Sequence, residues 1–322
     1  MIERYIQRFS KLRTDKNRNR WPSITYHKAP HKPFLLLSIM DLISQGIITS
    51  SFIEPSFELV ETFNIYWSRI MPAGASTSMA HPFPRLKTDG FWERIPNPGY
   101  DADTDYNVNT MSKIREIYAG ARLDEELFQL MSLSDSRQKL RTALLVNYFA
   151  PAIQPVIVEQ WMVNYEAHEY SKELLKISDL KEAYAHEDDE NGQKKKVRDQ
   201  GFRKAIVTLY EHRCALCGIR MLTPEGHTVV EAAHIKPWSE SHDDCPSNGM
   251  ALCRLCHWSF DEGLMSVGRD YEVLVSKRVN LDQNFPGHMM TLSDRRIFRP
   301  DDHNFWPDQE NLKWHREKTY CR

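Results

Sequence analysis

The feature that most constrains this chain is a pair of C-x-x-C knuckles, Cys214-Ala215-Leu216-Cys217 and Cys253-Arg254-Leu255-Cys256, set 35 residues apart. Four thiols at this spacing offer one tetrahedral shell to a zinc ion, and a shell closed by four cysteines leaves no open position for chemistry. Gly218 follows the first pair and suits the turn of a knuckle. The segment therefore folds around a structural ion, whose binding contributes folding free energy to a region with few apolar residues. Cys245 and Cys321 belong to neither knuckle and read as structural, and no cysteine occurs in the first 213 residues. A secreted, disulfide-stapled chain would spread its cysteines throughout. Metal-ligand spacing and a reducing compartment go together here.

Composition narrows the rest. The 322 residues predict about two domains, because single cores stop growing at roughly 100–200 residues. With 41% hydrophobic and 27% charged residues, the chain is of ordinary globular composition rather than disordered or fibrous. No apolar run approaches the roughly 18 residues of a membrane span. The opening MIERYIQRFSKLRTDKNRNR is too charged for a secretory signal and too acidic for a transit peptide. These absences predict a soluble, cytoplasmic protein. The net charge of −2 conceals a gradient: residues 1–50 hold nine lysines and arginines against three acids, a net of +6, and the next sixty residues net −4. Such a basic segment is either a local phosphate-binding face or a solvated amphipathic helix.

Punctuation along the chain predicts its organisation. A first helix runs to about Leu12. A second spans the apolar run Phe34–Ile43, with Pro33 in its first turn and Gly46 at its stop. Ile47–Thr49 and Phe57–Val60 read as short strands or helix edges, and Asp89-Gly90 as a hairpin turn. Residues 111–149 read as helices. The charged stretch EDDENGQKKKVRDQ, 187–200, reads as a linker before a helix at Phe202–Tyr210. The expected domains are 1–165, a helical and charged linker over 166–200, and 201–322.

Three further phrases lie between and after the knuckles: AHIKPW with His234, SNGMALC with Asn248, and CRLCHWSFDEGL with His257 and Asp261. Over about residues 198–275 they resemble the HNH endonuclease family, and particularly the zinc-stapled, McrA-like restriction enzymes. The resemblance implies an α+β protein: a mainly helical N-terminal DNA-reading domain followed by a zinc-stapled ββα-metal (HNH) nuclease domain. It also implies roles. His234, at a strand end, would be the general base; Asn248 would orient it or pin the crossing loop; His257, opening a helix, would hold the catalytic metal. Hydrolysis of a phosphodiester needs such a base for water and a cation for the developing charge. Asp261 lies four residues after His257, hence on the same helical face, and would complete the metal site. The family often carries Asp or His directly before the base, where this chain has Ala233, which leaves Asp261 or Glu231 as substitute ligands. Mg²⁺ or Mn²⁺ suits oxygen-rich ligands, with Ni²⁺ or Co²⁺ as the alternatives for a site richer in imidazole. His212, His227 and His242 have no motif support and read as loop residues.

An HNH module alone cuts with little sequence preference, so another part must choose the target. Ala29-Pro30-His31-Lys32-Pro33-Phe34 and His81-Pro82-Phe83-Pro84-Arg85-Leu86 resemble the sulfur-binding domain of McrA-like enzymes that cleave phosphorothioate-modified DNA, over roughly residues 1–165. Family members often carry Tyr where this chain has His81. The physics is coherent: sulfur in place of a non-bridging oxygen is larger, more polarisable and less hydrated. A shallow apolar dent walled by Pro82 would favour it, because burying an unbonded oxygen costs more. His31, Lys32, His81 and Arg85 would hold the surrounding backbone, with Arg18, Arg20 and Lys28 adding phosphate contacts. The resemblance thus implies a type IV, modification-dependent restriction endonuclease acting on double-stranded DNA, structural Zn²⁺ beside a catalytic divalent ion, and a homodimer for double-strand cleavage. Two alternatives stand beside it. One is an HNH nuclease reading a methylated base or unmodified DNA, with Tyr66, Trp67 and Trp92 as an aromatic cage. The other is a zinc-stabilised DNA-binding protein without catalysis.

Overall fold

A computed structural model describes residues 2–104, 106–176, 192–281 and 284–321. The chain forms two compact units, Met1–Tyr165 with Thr223–His227, and Glu166–Leu222 with Thr228–Arg322.

The first unit is mainly helical. Helix α1 (Ile2–Ser10) buries Tyr5 and Phe9, one turn apart on one face. Helix α2 (His31–Ser44) is buried on every side from Lys32 to Ile43, as an all-round apolar helix must be. Pro33 does sit in its first turn, and Gly46, at φ 71°, lies in the turn that follows its end. After β1 (Phe52–Ile53), Ser56 caps α3 (Phe57–Ile70) by accepting from the Leu59 amide. Residues 57–60 are therefore helical, because the cap supplies the acceptor that a helix start needs. Strand β2 (Trp92–Pro96), helix α4 (Met111–Ile117), strand β3 (Tyr118–Leu123), and helices α5 (Glu125–Ser132) and α6 (Ser134–Tyr148) follow. The three strands form an antiparallel sheet in the order β1-β3-β2.

Two sequence expectations for the first unit differ from this structure. Asp89-Gly90 does not turn a hairpin: Pro84–Asp89 is a 3₁₀ turn that Gly90 caps at φ 77°, and the partner of β2 is the distant β3. Within the region expected to be helical, Tyr118–Leu123 is a strand. A Cβ at Gly120 would lie 2.6 Å from Phe52 Cζ, so this glycine admits the close approach of β1 that a short sheet needs.

Helix α7 (Gln154–Lys176) has its first residues in the first unit and its last in the second. In the second unit, α8 (Gly192–Leu209) includes residues 192–200 of the expected linker; residues 187–191 lie outside the described residues. The stretch is helical because Lys, Arg and Gln are good helix formers and the stripe Phe202, Ala205, Ile206 gives the helix a face to bury. Strand β4 (Val230–His234), the short helix α9 (Trp238–Ser241), strand β5 (Gly249–Cys253) and α10 (Arg254–Asp261) follow. β4 and β5 pair antiparallel, with Val230 opposite Cys253 and His234 opposite Gly249, and α10 starts directly after β5. This is a ββα unit. The hairpin β6 (Met265–Val267) and β7 (Val273–Val275), and the closing helix α11 (Gln309–Lys318), complete it. Among the described residues, no helix is long and apolar enough to cross a membrane.

Candidate metal centre and active site

The four-cysteine shell that could hold zinc is built by the ends of elements. Cys214 and Cys217 form a turn in which the Gly218 amide donates to the Cys214 carbonyl at 2.9 Å. Cys253 ends β5 and Cys256 lies in the first turn of α10. All four sulfurs fall within 4.8 Å of one another. Cys217 and Cys253 Sγ are 3.8 Å apart, which is the edge of a tetrahedron with Zn–S bonds of about 2.3 Å, roughly 3.8 Å. The soft, all-sulfur donor set and this spacing fit zinc. Hydrogen bonds from Cys214, Cys217 and Cys256 hold the Cys253 thiol well below the usual range. Among the described residues, these cysteines are the only group of three or more candidate ligands so close together.

The ββα unit carries His234 at the end of β4, Asn248 just before β5 and His257 on α10. His234 is the last residue of β4, where its ring leaves the strand and stacks on Phe202 of α8 at 4.0 Å and 5°. Its Nε2 lies 2.8 Å from Asp244 Oδ1. Asp244 is fully buried, accepts from the Tyr170 hydroxyl at 2.9 Å and lies 3.8 Å from Arg198 Nε. Asn248 is also fully buried. Its Oδ1 accepts from the Lys236 amide at 2.9 Å, and its Nδ2 donates to the carbonyls of Lys236 and Asp243 at 3.0 and 2.9 Å. It therefore pins both ends of the loop that crosses between the strands, rather than touching His234.

His257 sits on α10, with Nε2 3.5 Å from Asp261 Oδ2 and Nδ1 3.7 Å from Glu231 Oε2. Both acids named from the sequence as substitute ligands thus flank this imidazole, on opposite edges of its ring. One ion cannot use both edges at once, so His257 would share it with Asp261 or with Glu231. A nitrogen and a carboxylate oxygen this close are a donor pair that would suit a divalent cation.

Residues 214–268 match the family model "HNH endonuclease". The second unit carries an HNH endonuclease domain. The match takes in both knuckles, His234, Asn248, His257 and Asp261. A solved structure described as "Modification dependent TagI restriction endonuclease" is similar at 24% identity and a TM-score of 0.27, covering 36% of this chain and 36% of that chain. This chain thus spans about a third of the length of that structure. No curated protein matches it.

The first unit gathers a second cluster around the start of α2. His31 packs against Trp21, Trp67 and His81, with ring centroids 5.2, 4.8 and 5.6 Å away. Burial pushes the His31 imidazole down to about 3, and burial and Arg85 lower His81, so both are neutral near pH 7 and act as dipoles rather than charges. Arg85 donates to the His81 carbonyl at 2.7 Å and is otherwise exposed. Pro82 is buried beneath this surface. Two expected phosphate ligands are engaged inside the unit: Lys32 pairs with Asp89 at 2.5 Å, buried, and Lys28 donates to the Asn147 carbonyl at 3.0 Å. Arg18 and Arg20 are exposed, Arg20 lying over the Trp21 ring at 5.1 Å. The cage Tyr66, Trp67 and Trp92 is 0, 5 and 4% exposed, packed into the core with no open ring face for a base.

Several residues of these sites carry no motif of their own. Asp244, Phe202, Tyr170 and Arg198 surround His234, and Trp21, Asp15 and Asp89 support the His31 cluster. Only the doubled acid in His242-Asp243-Asp244-Cys245, just before the Ser-Asn-Gly turn, gave a signal that could have been read.

Proposed function

We propose that this protein is a modification-dependent DNA endonuclease, in which the second unit hydrolyses phosphodiesters with a divalent cation and the first unit selects phosphorothioated DNA. The observation that carries the nuclease half is His234 at the end of β4, held through Nε2 with its Nδ1 edge left to act, in a ββα unit whose helix presents His257. In this reading His234 accepts a proton from the attacking water. His257, with Asp261 or Glu231, would hold a catalytic Mg²⁺, Mn²⁺, Ni²⁺ or Co²⁺. That ion, when bound, supplies positive charge to the phosphorane and the leaving oxygen. The four cysteines would hold Zn²⁺ and so fix the start of α10, on which His257 depends. Asn248 sets the crossing loop.

The reading half is supported by chemistry rather than by charge alone. Neutral His31 and His81 beside Trp21 make a weakly hydrated patch, suited to a polarisable sulfur more than to an ionic oxygen. Arg20 and Arg85 lie beside it and, with the exposed Arg18, would hold the flanking phosphates. Cleavage of both strands would use two copies. The test is binding by the full-length His234→Ala protein to one duplex with and without phosphorothioate, beside metal-dependent cleavage by the wild type. Tighter binding to the modified duplex and cleavage lost in the variant are expected. Equal affinities would refute the sulfur reading, and cleavage by His234→Ala equal to wild type would refute the base.

A further inference from the structure

We infer that Asp244 is the positioning residue of the nuclease: it holds the Nε2–H of His234, leaves the lone pair on Nδ1, and stabilises the imidazolium that forms. This rests on His234 being the base, as proposed above. The argument begins with the chain path. After His234 the chain leaves the sheet through Pro237 and α9, reverses at His242 with φ 49°, and returns through Asp243 and Asp244 into β5. Asn248 bonds to Lys236 on the way out and to the Asp243 carbonyl on the way back. The loop therefore has one closed form, and that form sets Asp244 Oδ1 2.8 Å from His234 Nε2. The central Asn of the motif acts on the base at second hand, by fixing the carboxylate that holds it.

The cost of this arrangement argues for its use. A fully buried carboxylate is expensive unless its charge is met. Among the described residues, Asp244 has only the Tyr170 hydroxyl, the more distant Arg198 and His234 itself. Those partners come from α7, α8 and β4, and a neutral acceptor such as a carbonyl could have oriented the imidazole without burying an anion. A carboxylate adds what a carbonyl cannot, a full negative charge beside the ring when it takes a proton. The ring is held in plane as well, by Phe202 stacked on its face. The charged and titratable groups beside this pair are Arg198 on α8, Tyr170 on α7 and Asp243 on the loop, with Asp308 next to Asp243. On β5, Cys253 stands at the far end, opposite Val230. In the reaction one water O–H bond breaks and its proton goes to Nδ1. The water oxygen forms the new P–O bond, the scissile P–O bond breaks, and the leaving oxygen takes a proton from solvent.

The test uses the full-length protein with ¹⁵N-labelled histidine, in wild type, Asp244→Asn and Tyr170→Phe, each followed by NMR and by cleavage across pH. The wild-type His234 should show the Nε2–H tautomer. Asp244→Asn removes the charge, so the titration midpoint of His234 and the acid limb of cleavage should both move to lower pH, with a loss of rate on the order of 100-fold. Tyr170→Phe leaves more negative charge for the imidazole, and the same midpoint should move to higher pH. Opposite displacements from the two variants support the dyad; a structural role predicts neither. The inference is overturned if His234 carries its proton on Nδ1. It is also overturned if neither variant moves the midpoint. Should Asp244→Asn fail to fold, Tyr170→Phe alone decides, since it removes one hydroxyl. A wild type that cleaves no duplex would defeat the base reading instead, and the tautomer and midpoint would still report on the pair.

Discussion

Each unit carries a buried carboxylate that only its neighbours make tolerable. In the first unit Asp41 is fully buried and accepts from Tyr66 at 2.6 Å, Arg141 at 2.9 Å and Asn164 at 3.0 Å. Burial pushes its carboxyl up while Arg141 opposes this. Asp41→Asn leaves Arg141 buried without its counter-charge, and should cost about 3–5 kcal/mol in denaturant unfolding of the first unit; a loss under about 1 kcal/mol would show the pair is dispensable. In the second unit His315 is 2% exposed, bonded to Ser266 Oγ and to the Phe260 carbonyl, and burial pushes it down to about 4. The unfolded chain takes up this proton near pH 6.5 and the folded one refuses it until about 4. Stability is therefore full above pH 6.5 and is lost as pH falls from 6.5 towards 4, by up to about 3 kcal/mol. Thermal melts at pH 7.5 and 5.0 should show the loss, and His315→Gln should flatten it. At this scale the histidines proposed to act in catalysis were legible because they stand in spaced motifs. Asp244, Asp41 and His315 were not, since a single residue acquires meaning only from distant partners.

Among the elements, α8 changed most between sequence and structure. Its polar N-terminal half looks like a linker because Lys194, Lys195, Lys196 and Arg198 carry no apolar periodicity. It is instead a helix that lies against His234 through Phe202 and against Asp244 through Arg198. Two glycines let it approach. A Cβ at Gly201 would lie 2.7 Å from Tyr170 Cδ1 and 2.9 Å from the Ala167 carbonyl, and one at Gly249 would lie 2.5 Å from Ile206 Cδ1 and 2.8 Å from Phe202 Cζ. Gly249 also stands opposite His234 in the strand register. Gly249→Ala should therefore push α8 off the strands and unseat Phe202 from the His234 ring. The expected outcome is a destabilisation of about 1–3 kcal/mol together with slower cleavage, read from unfolding curves and from plasmid cleavage of the same preparation. Unchanged cleavage would mean that the stacked ring is not needed. The glycines themselves were visible in the sequence, but which backbone they admit was not.

Across the whole molecule, all six cysteines lie in the second unit, so the two units should respond differently to a chelator. Removing zinc should abolish the thermal transition of the second unit and leave that of the first in place, as calorimetry with and without a strong chelator would show; loss of neither would mean the four thiols need no ion. The basic N-terminal segment is likewise divided by the fold. Arg4 pairs with Glu126 at 2.8 Å and Arg8 with Asp124 at 3.5 Å, and Lys28 and Lys32 are engaged internally. Lys11, Arg13, Lys16, Arg18 and Arg20 remain exposed in one loop. Each phosphate contact contributes about 0.9 to the slope of log affinity against log salt. Arg18→Ala or Arg20→Ala should lower that slope by about one, whereas Lys28→Met should leave it unchanged; an equal effect of all three would refute the division.

The sequence alone determined what depends on local spacing. The two knuckles set the zinc shell, the His, Asn and His phrases set the ββα unit, and the all-apolar run set the central helix of the first unit. Ligand spacing and apolar periodicity act over a few residues, so they are written in order along the chain. Only the tertiary contacts settled which charges remain outside, which acids flank His257, and that a fully buried Asp244 holds His234. Those outcomes depend on burial and on partners brought together from far apart, through electrostatic and packing terms that no local pattern encodes.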